Sequence, residues 1–175
     1  LLKGSAKVSA AIFRDTIQPG KTASLQVDFH KGLGKKISYN KPYNKRYPAQ
    51  KDSTLVNGYR GSLTYGDGQW QGFTNDLDIV LDLSKAEDLQ SLSMGSMQLT
   101  GPGVYMPAYV EVSLSDDGQT FGKALQMEND IPVTQSRLTF RDFRFDLKGQ
   151  KGRYIRIYAK NAQHGFMFTD EVIVY

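Results

Sequence analysis

The chain contains no cysteine. Disulfides, thiolate metal sites and cysteine nucleophiles are excluded together. The redox compartment is left open, because a cysteine-free chain tolerates reducing and oxidising surroundings alike. Histidine is nearly absent, with only His30 and His164, which does not support a histidine-built metal site. Tryptophan occurs once, at Trp70. No run of about 18 apolar residues exists, so no segment reads as a membrane-spanning helix. No G-x-S-x-G, H-E-x-x-H or P-loop sequence is found. The adjacent acids Asp116-Asp117 and Asp170-Glu171 sit in a turn and beside a strand end, with no partner that the sequence brings near them. Catalysis by this chain is therefore not supported. The first residues, Leu1-Leu2-Lys3, show neither an initiator Met nor a signal sequence, and the chain is expected to be a piece of a larger protein.

Glycine, tyrosine and phenylalanine are plentiful: 17, 10 and 9 of 175 residues. With 39% hydrophobic residues the chain can bury a real core, and this composition suggests an aromatic, turn-rich β-protein. The net charge of +4, from 22 basic and 18 acidic residues, argues neither for nor against a polyanionic partner. Residues 6–14 and 23–29 read as two strands joined by a turn over Asp15–Lys21 with Pro19-Gly20 at its centre. Lys31 to Lys51 carries seven basic residues and no acid, interleaved with Tyr39, Tyr43 and Tyr47. Such a run can track a polyanion, but it is more commonly a solvated linker, and no nucleic-acid motif reinforces it. Ile37 to Tyr39 is expected to be a short strand.

The segment Leu55–Leu83 changes character twice. Asn57 to Gly68 is Gly-rich and polar, a loop held by glycine conformations and side-chain hydrogen bonds. Trp70 and Phe73 follow, and then Leu77, Ile79, Leu81 and Leu83 alternate with Asp76, Asp78 and Asp82, the period-two pattern of a half-buried strand. Further strands are expected over 89–99, 108–114, 122–127, 138–147, 153–159 and 166–175. Asp117-Gly118 marks a hairpin turn, and Arg141-Asp142 breaks the phase of Leu138, Phe140, Phe143, Phe145 and Leu147 as a bulge would. Eight to ten short strands at such spacing, without an amphipathic helix, predict an antiparallel β-sandwich.

Four motifs occur in order: Gly72-Phe73 followed by Asp76 to Leu83, Pro107 to Phe121, Gly152 to Tyr158, and Phe168 to Val174. Together they resemble the discoidin domain, or coagulation factor V/VIII type C domain. The Tyr59-to-Ser62 and Gly68-to-Phe73 stretches look most like the module at the C-terminus of bacterial β-N-acetylhexosaminidases (chitobiases). The resemblance implies a jelly roll with a five-stranded sheet packed on a three-stranded one, covering 37–175. Residues 1–36 would be the remnant of a preceding small β-domain and its linker. It further implies a non-catalytic carbohydrate-binding accessory module of a secreted, cell-surface or periplasmic bacterial glycoside hydrolase, taking terminal galactose or N-acetylhexosamine weakly. The alternative is a module that only packs on the catalytic domain of the same parent chain. The chain is expected to be a monomer, with no nucleic-acid partner.

Candidate sugar contacts are aromatic and polar residues on the expected loops: Tyr105, Tyr59, Arg60, Tyr65, Trp70 and His164. Exposed aromatics on Gly-rich loops have no core to fill, whereas the favoured reading of Trp70 is that it plugs the core beneath the loops. Tyr105 can equally lie across its loop base, and His164 can simply be solvated. The resemblance also implies a structural calcium ion held by Asn57, Ser62 and Glu171, since oxygen ligands suit a hard cation. Asn57 stands where relatives commonly carry Asp, which weakens such a site. The other reading is that Asn57 caps a turn and Glu171 accepts loop N–H bonds. Val104 and Met106 are the only candidates for apolar adhesion spikes.

Overall fold

The structure, a computed structural model, describes residues 4–15, 18–19 and 22–175. The strands are β1 (Ala6–Ala10), β2 (Phe13–Asp15), β3 (Gln18–Pro19), β4 (Ala23–Val27), β5 (Lys36–Tyr39), β6 (Gln71–Phe73), β7 (Leu77–Gln98), β8 (Tyr109–Ser115), β9 (Leu125–Glu128), β10 (Thr139–Ala159) and β11 (Met167–Val174). Among the described residues the one helix is a 3-10 turn over Lys51–Val56. The main sheet runs β6-β11-β7-β10-β8-β9, with β5 added against β7.

Two strands are far longer than the sequence reading allowed. The segments expected at 77–83 and 89–99 form one 22-residue strand, and those at 138–147 and 153–159 one of 21 residues. A straight strand of that length would span about 70 Å, while a compact chain of this size has a radius of gyration of about 16 Å. Both strands therefore bend. On β7 the bend falls at Ser84, where φ is +73°, and on β10 at Lys148 and Gly149. The pairing of β10 with β7 slips there, between Asp146 and Gln150 and again between Gly152 and Tyr154.

The bend folds the sheet into two layers around one core. The larger layer holds β5, the first part of β7, the last part of β10, β8 and β9. It contributes Leu77, Ile79, Leu81, Ile155, Ile157, Val110 and Val112. The smaller layer holds the other parts of β10 and β7 with β11, extended by the three-residue β6. Across it run two rows of inward side chains, Phe145-Leu92-Val174 and Phe143-Met94-Val172. This is the expected sandwich of five strands on three, with β6 as an added edge.

The expected bulge at Arg141-Asp142 is not there, because both residues pair in regular register with Ser96 and Gly95. Phe140 breaks the phase because it faces the other way, into a row Phe140-Met97-Phe168 on the outer surface of the smaller layer. The bulge lies instead on β11, between Thr169 and Val172. It turns Phe168 outward and Val172 inward.

The Lys31–Lys51 stretch is built into this body rather than hanging from it. Lys31 N donates to Val174 O, Gly34 N to Val56 O, and Asn44 N to Gly72 O. Upstream, β1 pairs antiparallel with β4, and the expected single strand 6–14 is divided between β1 and β2. Parts of the expected Asp15–Lys21 turn, and Leu1–Lys3, lie outside the described residues.

Candidate functional site

The β11 bulge places two buried carboxylates side by side, Asp170 and Glu171. Each grips the Gly-rich loop. Asp170 Oδ2 accepts from Arg60 Nε at 2.8 Å and Gly61 N at 3.0 Å. Arg60 Nη2 donates onward to Asp142 Oδ1 at 2.6 Å. Glu171 Oε1 accepts from Gly58 N and His30 Nε2, both at 2.9 Å. His30 Nδ1 receives Gly32 N at 3.1 Å and Val174 N at 3.4 Å, so the ring proton sits on Nε2 and points at Glu171. Gly95 on β7 leaves room for the ion pair to cross: a Cβ there would lie 2.1 Å from Asp170 Oδ1.

Electrostatics follow from that geometry. Burial pushes the Asp170 carboxyl up, while Arg60 and the Gly61 and Glu171 N–H groups pull it back. Burial likewise raises Glu171 against the pull of His30 and Gly58. For Arg60, burial works against the charge, but Asp170 and Asp142 outweigh it and hold the guanidinium well above its ordinary value.

Beyond Gly61 the loop folds over the outer surface of the smaller layer. Asp67 ties it with Oδ2 to Ser62 N at 2.6 Å and Oδ1 to Gln69 N at 2.8 Å. Tyr65 stacks on Phe168 with ring centroids 5.1 Å apart. Trp70, 2% exposed, donates from Nε1 to Ser62 O at 3.0 Å and stacks on Phe140 at 5.7 Å and 17°. The tryptophan therefore covers the sheet. Gly61 is required beneath it, since a Cβ there would come within 2.1 Å of the indole.

Beside that stack is an open hollow of about 250 Å³, lined by Arg60, Gly61, Ser62, Leu63, Trp70, Phe140 and Asp170. Leu63 is 75% and Phe140 43% exposed at its rim. Of the sequence candidates, Arg60 and Trp70 meet here. Tyr65 is held in the same cover, packed between Tyr47 and Phe168. Tyr59 is half-buried and bridges to Val27. Tyr105 and His164 belong to a different pair of loops. Tyr105 lies against the Gly165 backbone with its N–H bonded to Phe166 O at 2.8 Å. It borders a crevice of only about 50 Å³. His164 is exposed, at φ +55°. Val104 and Met106 are buried, so neither is an adhesion spike. Phe140, Leu63 and Asp142 were missed by sequence reasoning. The out-of-phase Phe140 in its strand was the available signal.

The implied calcium ligands each have partners within the protein, and Glu171 reaches the loop at Gly58, next to Asn57. Asn57 Oδ1 receives Tyr59 N at 2.8 Å, an Asx turn. Ser62 is exposed, and its carbonyl takes the Trp70 N–H. Glu171 Oε1 is filled by two N–H donors, and only its Oε2 is buried without a partner. Among the described residues no three acidic or histidine side chains gather as metal ligands.

A comparison with curated proteins returns no match. Solved structures do match in fold. A Streptococcus pneumoniae fucose-binding module is 16% identical with a TM-score of 0.58, over 84% of this chain and 97% of that one. The lectin domain of lectinolysin, solved with Lewis b antigen, is 13% identical with a TM-score of 0.59, over 84% and 96%. A Clostridium perfringens carbohydrate-binding module, solved with GalNAc-β-1,3-galactose, is 14% identical with a TM-score of 0.56, over 80% and 94%. The F5/8 type C domain model matches residues 35–172, most of the described sandwich, and the chain belongs to that family.

Proposed function

We propose that this chain is a non-catalytic carbohydrate-binding module of a bacterial glycoside hydrolase that works in the periplasm, at the cell surface or outside the cell. The observation that carries this reading is the loop hollow. A partly exposed aromatic ring, Phe140, is backed by Trp70 beside a guanidinium fixed by two carboxylates. A pyranose packs its axial C–H face on such a ring, and neighbouring polar groups take its hydroxyls. Fold neighbours that bind fucose, Lewis b and GalNAc-β-1,3-galactose support the ligand class. The sugar we assign is a terminal galactose or N-acetylhexosamine, and the parent a β-N-acetylhexosaminidase of the chitobiase type. A shallow site of this kind binds at roughly millimolar to micromolar Kd. Its use lies in raising the local concentration of substrate around the enzyme.

A glycan array followed by calorimetry tests the reading. The wild-type chain binds galactose- or N-acetylhexosamine-terminated glycans, and Phe140→Ala weakens that binding by tenfold or more with an unchanged circular dichroism spectrum. Equal affinity of the variant, or silence of the whole array, would refute it. A second reading is a module that packs on its catalytic domain. It is favoured by the apolar rim of Leu63 and Phe140, which a protein surface would also cover. In that case Leu63→Asp loosens the module from the catalytic domain and no glycan binds.

A further inference from the structure

The outer face of the larger layer carries a second hollow, remote in sequence from the Gly-rich loop. It measures about 470 Å³ and lies between β8, β10 and the turn that follows β8. Its lining alternates out of the two strands. Tyr109, Glu111 and Ser113 point outward between the buried Val110 and Val112. Across the ladder Tyr158 pairs with Glu111 and Arg156 with Ser113. Phe121, from the returning turn, closes one side.

Part of this surface is locked and part is left unengaged. Arg156 is clamped to Asp78 by two hydrogen bonds, Nε to Oδ1 at 2.9 Å and Nη2 to Oδ2 at 2.8 Å. That fixes the guanidinium plane. Tyr158 is fixed by its hydroxyl, which donates to Asp76 Oδ2 at 2.9 Å. The Tyr109 and Tyr158 rings lie 6.1 Å apart and tilted by 39°. By contrast, the Glu111 carboxylate accepts no hydrogen bond from the described residues. A free carboxylate beside a fixed guanidinium can take one hydroxyl of a vicinal pair while the guanidinium donates to the other. The two rings supply the apolar floor for the sugar C–H face. The volume falls within the range of about 300–1,000 Å³ that small-ligand sites occupy. Little ordering is needed on binding, because the rings and the guanidinium are already held.

We propose that this face is a second carbohydrate-binding surface, taking a neutral oligosaccharide of two or three units along the β8–β10 ladder. The charge balance selects neutral chains. Arg156 is shared between Asp78, which it clamps, and the nearby Glu111, so these three groups carry a net negative charge that repels uronic or sialic acids. Together with the loop hollow it makes the module bivalent, able to hold two points of one glycan.

Amide shift mapping of the full chain with triacetylchitotriose, N-acetyllactosamine, cellotriose and sialyllactose, each to 20 mM, tests this. At least one neutral sugar shifts the amides of residues 109–113, 121–124 and 156–158, and sialyllactose does not. Glu111→Gln and, separately, Tyr109→Ala reduce that affinity at least tenfold, with folding checked by the unchanged remainder of the spectrum. Phe140→Ala leaves the sheet-face shifts intact. The proposal is overturned if no neutral sugar moves those amides, if sialyllactose moves them equally, or if Glu111→Gln binds as tightly as wild type. Shifts confined to the residues around Phe140 and Arg60 would overturn it while leaving the loop site standing.

Discussion

Arg60 is the side chain on which the Gly-rich loop turns. It joins a buried acid on β11, Asp170, to a second acid on β10, Asp142, and it lines the loop hollow. Removing it leaves a carboxylate buried without its cation, the costly way to break such a pair. Arg60→Met is expected to cost about 3–5 kcal/mol in urea unfolding. Asp170→Asn added to it should recover part of that loss, because the stranded charge is gone. A cost for Arg60→Met below about 1 kcal/mol, the scale of a solvent-exposed ion pair, would show that the pair does not hold the loop. The sequence pointed to Arg60 and Trp70 through their place in a glycine-rich stretch. It could not show that Trp70 faces the sheet. That depends on Phe140 and Phe168, which are distant in sequence and meet it only through strand register.

At the scale of the element, β7 and β10 are laced together along their outward edge. Arg153 clamps Asp82 and Arg156 clamps Asp78, and Asp76 before β7 gathers Lys41, Tyr158, Lys160 and the Asn161 N–H. The Arg153 bonds lower Asp82. At Asp76 and Asp78 burial opposes the charge, but those partners outweigh it, so both also fall. In the turn after β8 the N–H groups of Thr120 and Gln119 draw Asp117 down to about 2. A carboxyl lowered on folding gives stability that is complete above its unfolded value and is lost as pH drops through the folded one. Asp170 and Glu171, raised by burial, act in the opposite sense: acidification first relieves them. The thermal midpoint is therefore expected to hold from pH 6 to about 4 and to fall steeply toward pH 2. Calorimetric scans in half-unit steps check this, and a decline already under way at pH 6 would assign control to other groups. The alternation that makes these strands was plain in the sequence, as were the β8 hairpin turn and the order of the family motifs. The bends were not, because Ser84 and Lys148 take positive φ without being glycine. Nothing local announced that four expected strands would join into two.

At the scale of the whole molecule, residues upstream of the family match pack into the sandwich. The match starts at residue 35, and the sequence placed the division after residue 36. Yet His30 lies entirely inside the sandwich, donating to Glu171. The backbone around it is bonded at Lys31 to Val174 and at Gly34 to Val56. This could not be read from the chain, since nothing in Asp28-Phe29-His30 marks a residue that reaches the C-terminal strand. A fragment cut at residue 35 strips one of the two donors from a buried carboxylate oxygen whose neighbour, Oε2, already has none. An unmade bond to a buried charged group costs several times one merely weakened. The fragment from residue 35 is therefore expected to be less stable than one from residue 28 by about 2–4 kcal/mol. His30→Ala in the uncut chain should account for most of that difference. Matched urea curves for the three proteins decide it. If the shorter fragment unfolds at the same denaturant concentration as the longer, the histidine anchor contributes nothing and the module starts at the match.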